Sequence, residues 1–292
     1  MRFAQTCKHC LTVQFKKQQN IMVLLGFCLG QVGLVAAQQG AAENLRDLRQ
    51  FDQNQQLHAQ DDPSKILVSA MDIKDIRIAD NVLAKAIELT TRGAKLHTIT
   101  AASRNEKITL SEFLPYQDST LEQKIELRFN KHSGLITQIN LSYFLASAYL
   151  SIEPIRQQVF ESALQKYGQP LSIERIKEQV NSTKPNVTMR QFIASLPTSS
   201  AVVQGYFEDM MISRNDKITA DAQGYAVFHS GFDECYLWQK DNYTEILSFC
   251  GFAPQAANAA NRGLEFNLRN FALAKQIDEK QNQSKALPAL TL

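Results

Sequence analysis

Two cysteines, Cys235 and Cys250, carry the clearest chemistry in this chain of 292 residues. A pair of thiols can serve as a nucleophile with a partner, as metal ligands or as a disulfide. A nucleophile needs a base, and His229, six residues before Cys235, is the one within short reach. A metal site needs further ligands at close spacing, and neither HExxH nor a Cys/His zinc pattern occurs. A disulfide needs the two residues opposed on neighbouring strands. The stretch FDECYLWQKDNYTEILSFC meets that need. With residues 241–244 as the loop, Lys240 faces Glu245, Trp238 faces Leu247, Tyr236 faces Phe249 and Cys235 faces Cys250. Tyr236, Trp238, Leu247 and Phe249 then share one face, and Cys235, Leu237, Ile246 and Cys250 share the other. The pair reads as a disulfide stapling a hairpin, and a bridged sulfur cannot attack. A Cys235–His229 nucleophile pair is the competing reading.

Other side chains suggest less. His58 falls in a polar stretch, His97 stands alone and His132 lies in a predicted turn. Asp209, Asp216 and Asp221 do not follow the alternate-oxygen spacing of a calcium loop and read as turn residues. Asp233 and Glu234 could supply one half of an acid/base pair, with no partner to nominate. The chain contains no GxSxG, phosphate loop or GxGxxG. No catalytic residue, cofactor or metal site is therefore assigned. Tyr206, Phe207, Met210, Met211, Tyr225 and Phe228 read as packing residues, with a peptide or lipid groove as the sharper alternative.

The remaining cysteines, Cys7, Cys10 and Cys28, belong to a segment with its own logic. Arg2, Lys8, Lys16 and Lys17 precede an apolar run, IMVLLGFCLGQVGLVAA, that ends in small residues at 35–37. That is the layout of a secretory signal peptide, with cleavage expected after Ala37 or, second, after Ala42. Cys7-Lys8-His9-Cys10 lacks a second ligand pair, and Phe27 before Cys28 is too large for a lipidation motif. Removing 1–37 takes four basic residues, so 31 − 4 = 27 basic face 29 acidic. A near-neutral chain of 292 − 37 = 255 residues has no basic footprint for nucleic acid. Nor does it contain an apolar run of about 18 residues that would predict a membrane span. Sequons at Asn140, Asn181, Asn186 and Asn242 matter only in a eukaryotic secretory pathway.

Stepping along the chain, 38–64 is a polar, glutamine-rich tether in which Leu45, Leu48, Phe51 and Leu57 hint at an amphipathic helix. A folded α+β domain is expected over 65–277, and a flexible tail over 278–292. Ile76 and Ile78 mark a short strand; Asp80 or Asn81 caps a helix through Leu89 that stops at Gly93. From Leu121 to Phe129 every odd residue except Gln123 is apolar. Leu135, Ile139, Leu141, Tyr143 and Leu145 repeat the pattern after a turn at 131–134, which predicts an antiparallel hairpin with one wet face. EPIRQQVFESALQKYGQP predicts a helix started by Pro154 and ended by Gly168, with a second capped by Ser172. After Ser200 the segments AVVQGYF, YAVFHS, the cysteine hairpin and GLEFNLRNFALAK read as strands. This order predicts antiparallel sheet with helices packed on one side, and it admits two related halves, 65–150 and 151–277.

Leu164, Tyr167, Gly168 and Pro170 at the helix end, followed by alternating strands, resemble uncharacterised exported bacterial α+β proteins. The same helix-then-sheet plan resembles the small lipoprotein subunit of the outer-membrane barrel-assembly machinery. The resemblance implies a fold plan and no functional residue. The functional expectation is an exported, periplasmic or secreted protein, not an enzyme, that binds a protein or cell-envelope component. Its alternative is a periplasmic hydrolase whose site assembles from distant residues near His229. A concave site gathering His229 with two acids would favour the enzyme, and an apolar groove would favour binding. Oligomeric state is left open.

Overall fold

Alternation of apolar and polar residues builds most of the structure. The computed structural model describes residues 46, 48, 69–100, 106–131, 133–145, 150–184, 186–196, 206, 216–230, 233–240, 243–252 and 263–277. Strands β1 (Asp72–Ile73) and β2 (Ile76–Arg77) form a small hairpin across Lys74 and Asp75, both in the left-handed region. The other strands are β3 (Lys95–Thr100), β4 (Lys107–Tyr116), β5 (Ser119–Phe129), β6 (Ile136–Leu145), β7 (Val187–Thr188) and β8 (Lys217–Ala220). They continue with β9 (Ala226–Ser230), β10 (Asp233–Lys240), β11 (Glu245–Phe252) and β12 (Leu264–Asn270). These ten make one antiparallel sheet in the order β3-β4-β5-β6-β12-β11-β10-β9-β8-β7. Two meanders, β3–β6 and β7–β12, are thus fused where the last strand pairs with β6.

Register carries single rows of side chains across that seam. Leu110, Ile125, Leu141, Phe266, Phe249 and Tyr236 are successive partners across six strands. Ile108, Leu127, Ile139, Leu268, Leu247 and Trp238 form the next row. Directly opposed residues share a face, so both rows lie on what we term face one, and all twelve belong to one buried cluster. On face two the partners over β4–β6 are mostly polar, with Lys107, Glu126 and Arg128 in an ion network, and the exposed Phe113 and Phe144 stand on either side of Glu122. Further along, face two becomes apolar, with Cys235, Leu237, Ile246, Phe228 and Ile218 in a second buried cluster.

Helix α1 (Val82–Thr91) is capped by the Asn81 side chain, which accepts from the Ala84 N–H at 2.9 Å. It ends just before Gly93, at φ 107°, and buries Val82, Ala86 and Leu89 on the face-one cluster. Helix α2 (Glu153–Tyr167) has Pro154 in its first turn and Gly168 as its C-cap at φ 81°. Its Phe160 ring packs on Tyr236, Trp238 and Phe249 of face one at centroid distances of 4.6, 6.1 and 5.9 Å. Helices α3 (Ile173–Gln179) and α4 (Met189–Ala194) pack instead into the face-two cluster. Ser172 caps α3, and Thr188 with Gln191 forms a capping box on α4.

Helices therefore lie on both faces where one was expected, and the connection from α2 to α3 shows why. Leu171 donates its N–H to the Leu237 carbonyl of β10 at 2.8 Å and accepts from the Ala226 N–H of β9 at 2.7 Å. Backbone groups of β9 and β10 that would otherwise pair with each other are satisfied by this one residue, and the chain crosses from one face to the other there.

Several expectations are met at residue level. Every predicted pair of the cysteine hairpin occurs, from Lys240 with Glu245 to Cys235 with Cys250. Gly134 is left-handed before β6. Leu48, inside the stretch read as a tether, is helical and buried in the face-one cluster, while the rest of 38–64 lies outside the described residues. Tyr206 is helical where a strand was expected. The strand expected over 263–275 gives way to a helix at 271. There the Asn270 side chain accepts from the Leu273 N–H at 2.9 Å, as a cap does. The predicted leader, the tail and residues 207–215 lie outside the described residues. No helix among the described residues is long and apolar enough to cross a membrane.

Candidate functional site: the grooves beside helix α2

Helix α2 stands as a ridge on face one with a groove along each side. Two contacts to β10 hold it. At its N-terminal end Arg156 donates to the Glu234 carboxylate at 3.1 Å; at its C-terminal end the Trp238 indole N–H donates to the Gly168 carbonyl at 2.7 Å. Gly251, the partner of Glu234 on β11, leaves the room Arg156 needs: a Cβ there would lie 2.8 Å from Leu264 and 3.4 Å from the Arg156 Nε. Sequence reasoning missed Arg156 because a single arginine on a helix reads as surface.

The first groove, about 480 Å³, runs between α2 and the β4–β5 hairpin. Its floor is apolar, with Leu121, Leu141, Phe266 and Ile155 all buried. Its outer wall is the tip of the hairpin, where Leu114 is 40 % exposed. One end is polar. Lys74 bonds both Glu112 and Gln123, and Gln123, 5 % exposed, hydrogen-bonds Tyr143. Lys166 donates to Asp72 at 2.5 Å and the Tyr167 hydroxyl donates to the Asp72 carbonyl at 2.6 Å, tying the β1–β2 hairpin to α2. Burial pushes the Tyr143 and Tyr167 phenols up, reinforced by the carboxylates of Glu112 and Asp72 respectively, so both keep their protons at neutral pH. The signal for this site was present in the sequence. Gln123, the one polar residue among the odd positions from Leu121 to Phe129, is the groove's buried polar group.

The second groove, about 390 Å³, lies on the other side of α2 against the β8–β9 turn. Phe160, Tyr225 and Tyr236 wall it, with Glu153, Glu161 and Asp221 at its rim. Asp221 is a turn residue, as expected: its carboxylate accepts the N–H groups of Gln223 and Tyr225, each at 2.9 Å. Burial and the Asp221 charge push the Tyr236 phenol up to about 12.

The structure separates the residues of the imagined nucleophile pair. Cys235 opposes Phe228 on face two, while His229, the next residue, points to face one. The Cys235 sulfur lies 2.18 Å from that of Cys250, within the face-two core. His229 opposes Glu234 across β9–β10, and its Nε2 is 2.8 Å from the Thr219 hydroxyl. His97 is exposed on β3 at an irregularity in register, and His58 and His132 lie outside the described residues. No cluster of three or more His, Cys, Asp or Glu suited to a metal ion occurs among the described residues.

The fold and site together define a mixed α+β protein with one large antiparallel sheet and a grooved face. Comparison with protein-family models, curated proteins and solved structures gives no match for this chain.

Proposed function

We propose that this is an exported, periplasmic or secreted binding protein, not an enzyme, that holds a protein or cell-envelope component in the groove between α2 and the β4–β5 hairpin. The apolar floor of that groove carries the reading. Its 480 Å³ falls in the range of about 300–1,000 Å³ typical of binding sites, and such sites combine apolar walls with a few polar groups at fixed positions. Export is supported by the charge and apolar layout of 1–37 and by a cysteine pair suited to an oxidising compartment. The test is affinity capture from the organism's own envelope with the mature protein and with Val159→Trp, which adds bulk to the groove wall. Wild type should retain a component that the variant loses at unchanged melting temperature. Equal capture by both would remove the groove from the account.

A second reading, a hydrolase, rests on the opposition of His229 and Glu234 on face one. Against it, Glu234 is bound to Arg156 and His229 to Thr219. His229→Ala is therefore expected to leave capture unchanged, and loss of a hydrolytic activity in that variant would reinstate the enzyme.

A further inference from the structure

Both charged residues lining the larger groove are lysines, Lys74 and Lys166, whereas their carboxylate partners Glu112 and Asp72 are not among the lining residues. An ammonium group carries three donors. Lys74 gives two of them, to Glu112 and Gln123. Lys166 gives one to Asp72. Each therefore has capacity left for an acceptor brought by a ligand.

Gln123 sets the direction of a third donor. Its carbonyl oxygen accepts from Lys74, so its amide NH₂ is the end that meets Tyr143, and it donates to the phenol oxygen. Tyr143 is then left with its own O–H to give. The polar end of the groove thus presents an oriented hydroxyl and two ammonium groups, and the rest of the cavity is the apolar floor of Leu121, Leu141, Phe266 and Ile155.

We propose that this groove takes a single-chain amphiphile with an oxyanion head, carboxylate or phosphate, its tail on the apolar floor and its head between Tyr143, Lys74 and Lys166. The proposal rests on the groove being the binding site named above and adds the chemistry of the ligand. Glu112 and Asp72 already balance the charge of the two lysines, so the preference rests on unused donors. An oxyanion accepts from them, and a quaternary ammonium head of the same chain length has no acceptor to offer. A neutral hydroxyl head can accept one of these donors but makes only the weaker, neutral-acceptor hydrogen bond.

The test uses the oxidised mature protein and four twelve-carbon probes below their micelle-forming concentrations: dodecanoate, dodecyl phosphate, dodecyltrimethylammonium and dodecanol. Trp238, the chain's single tryptophan, packs 6.2 Å from the Tyr167 ring of the groove wall and reports occupancy by fluorescence. The two anions should saturate a single site, and the cation should bind at least about tenfold more weakly, the size of one lost charged hydrogen bond. Tyr143→Phe should weaken both anions by about tenfold and dodecanol by less. Equal affinity for anion and cation, or anion binding indifferent to Tyr143→Phe, would overturn the proposal. If no probe binds but Val159→Trp still abolishes envelope capture, the oxyanion amphiphile is wrong and the groove stands. If no probe binds and Val159→Trp also captures normally, both fail.

Discussion

At residue 245 a carboxylate with 1 % of its surface exposed accepts the N–H groups of Ala70 at 2.9 Å and Met71 at 3.2 Å and contacts the Ser69 hydroxyl. Glu245 begins β11, so this cluster fastens the segment leading into β1 to the C-terminal meander. A buried charge without partners is costly, and three donors are what make this one tolerable. Glu245→Ala is predicted to cost about 3 kcal/mol of stability, because two backbone N–H groups lose their acceptor inside the protein. Glu245→Gln, which keeps one acceptor oxygen, should cost less. Denaturant midpoints of the two variants check this, and equal losses would mean that charge, not acceptor count, holds the segment. Nothing in the local sequence announced the contact, since Ser69 and Glu245 are 176 positions apart. Gln123 is the opposite case: a polar residue breaking a local pattern is visible without any structure.

Among the elements, the β10–β11 hairpin was the most legible. Its alternation, loop length and cysteines all point to one register, and a slip of one residue would put Trp238 and Phe249 in the wrong core. With each face buried in a different cluster, the hairpin is wedged from both sides. Native protein should give no free-thiol signal for Cys235 or Cys250 until it is denatured and reduced. Replacing both with serine should lower stability by about 2–5 kcal/mol while leaving the groove's ligand bound. Iodoacetamide labelling of Cys235 in the folded, unreduced protein would contradict the bridge. Helix α2 was equally legible in extent, from Pro154 and Gly168, but its position was not. The residues that seat it, Glu234, Trp238 and Gly251, lie 234 − 167 = 67 or more positions beyond its last residue, Tyr167. The crossing at Leu171 depends on hydrogen bonds to two later strands, which no helix periodicity encodes.

For the whole molecule, the antiparallel α+β class followed from alternating strands between capped helices. The fusion of two meanders did not, because the β6–β12 pairing joins segments more than 100 residues apart, Leu141 with Phe266 for example. The same two-sided core makes a prediction about alkali. Burial raises the phenols of Tyr143, Tyr167, Tyr206, Tyr236 and Tyr243. Unfolded, each ionises near 10; folded, they hold their protons higher, Tyr236 to about 12. Between those values the unfolded chain binds fewer protons than the folded one, so stability should be intact below pH 10 and fall as pH rises toward 12. Denaturant titrations at pH 9, 10, 11 and 12, with tyrosinate absorbance followed in parallel, measure it. A flat profile across that window would show that these rings are solvated.

The central claim is that the groove between α2 and the β4–β5 hairpin is where this protein meets its ligand. A photo-crosslinking side chain at Ser162, an exposed groove position on α2, tests it most directly against the same group at Lys124. Lys124 opposes Ser142 and Ser111 on the polar face of the sheet, away from the groove. Irradiation of the mature protein in the native envelope should give a discrete adduct at 162 and none at 124. Adducts of equal yield at both positions, or at 124 alone, would contradict the account.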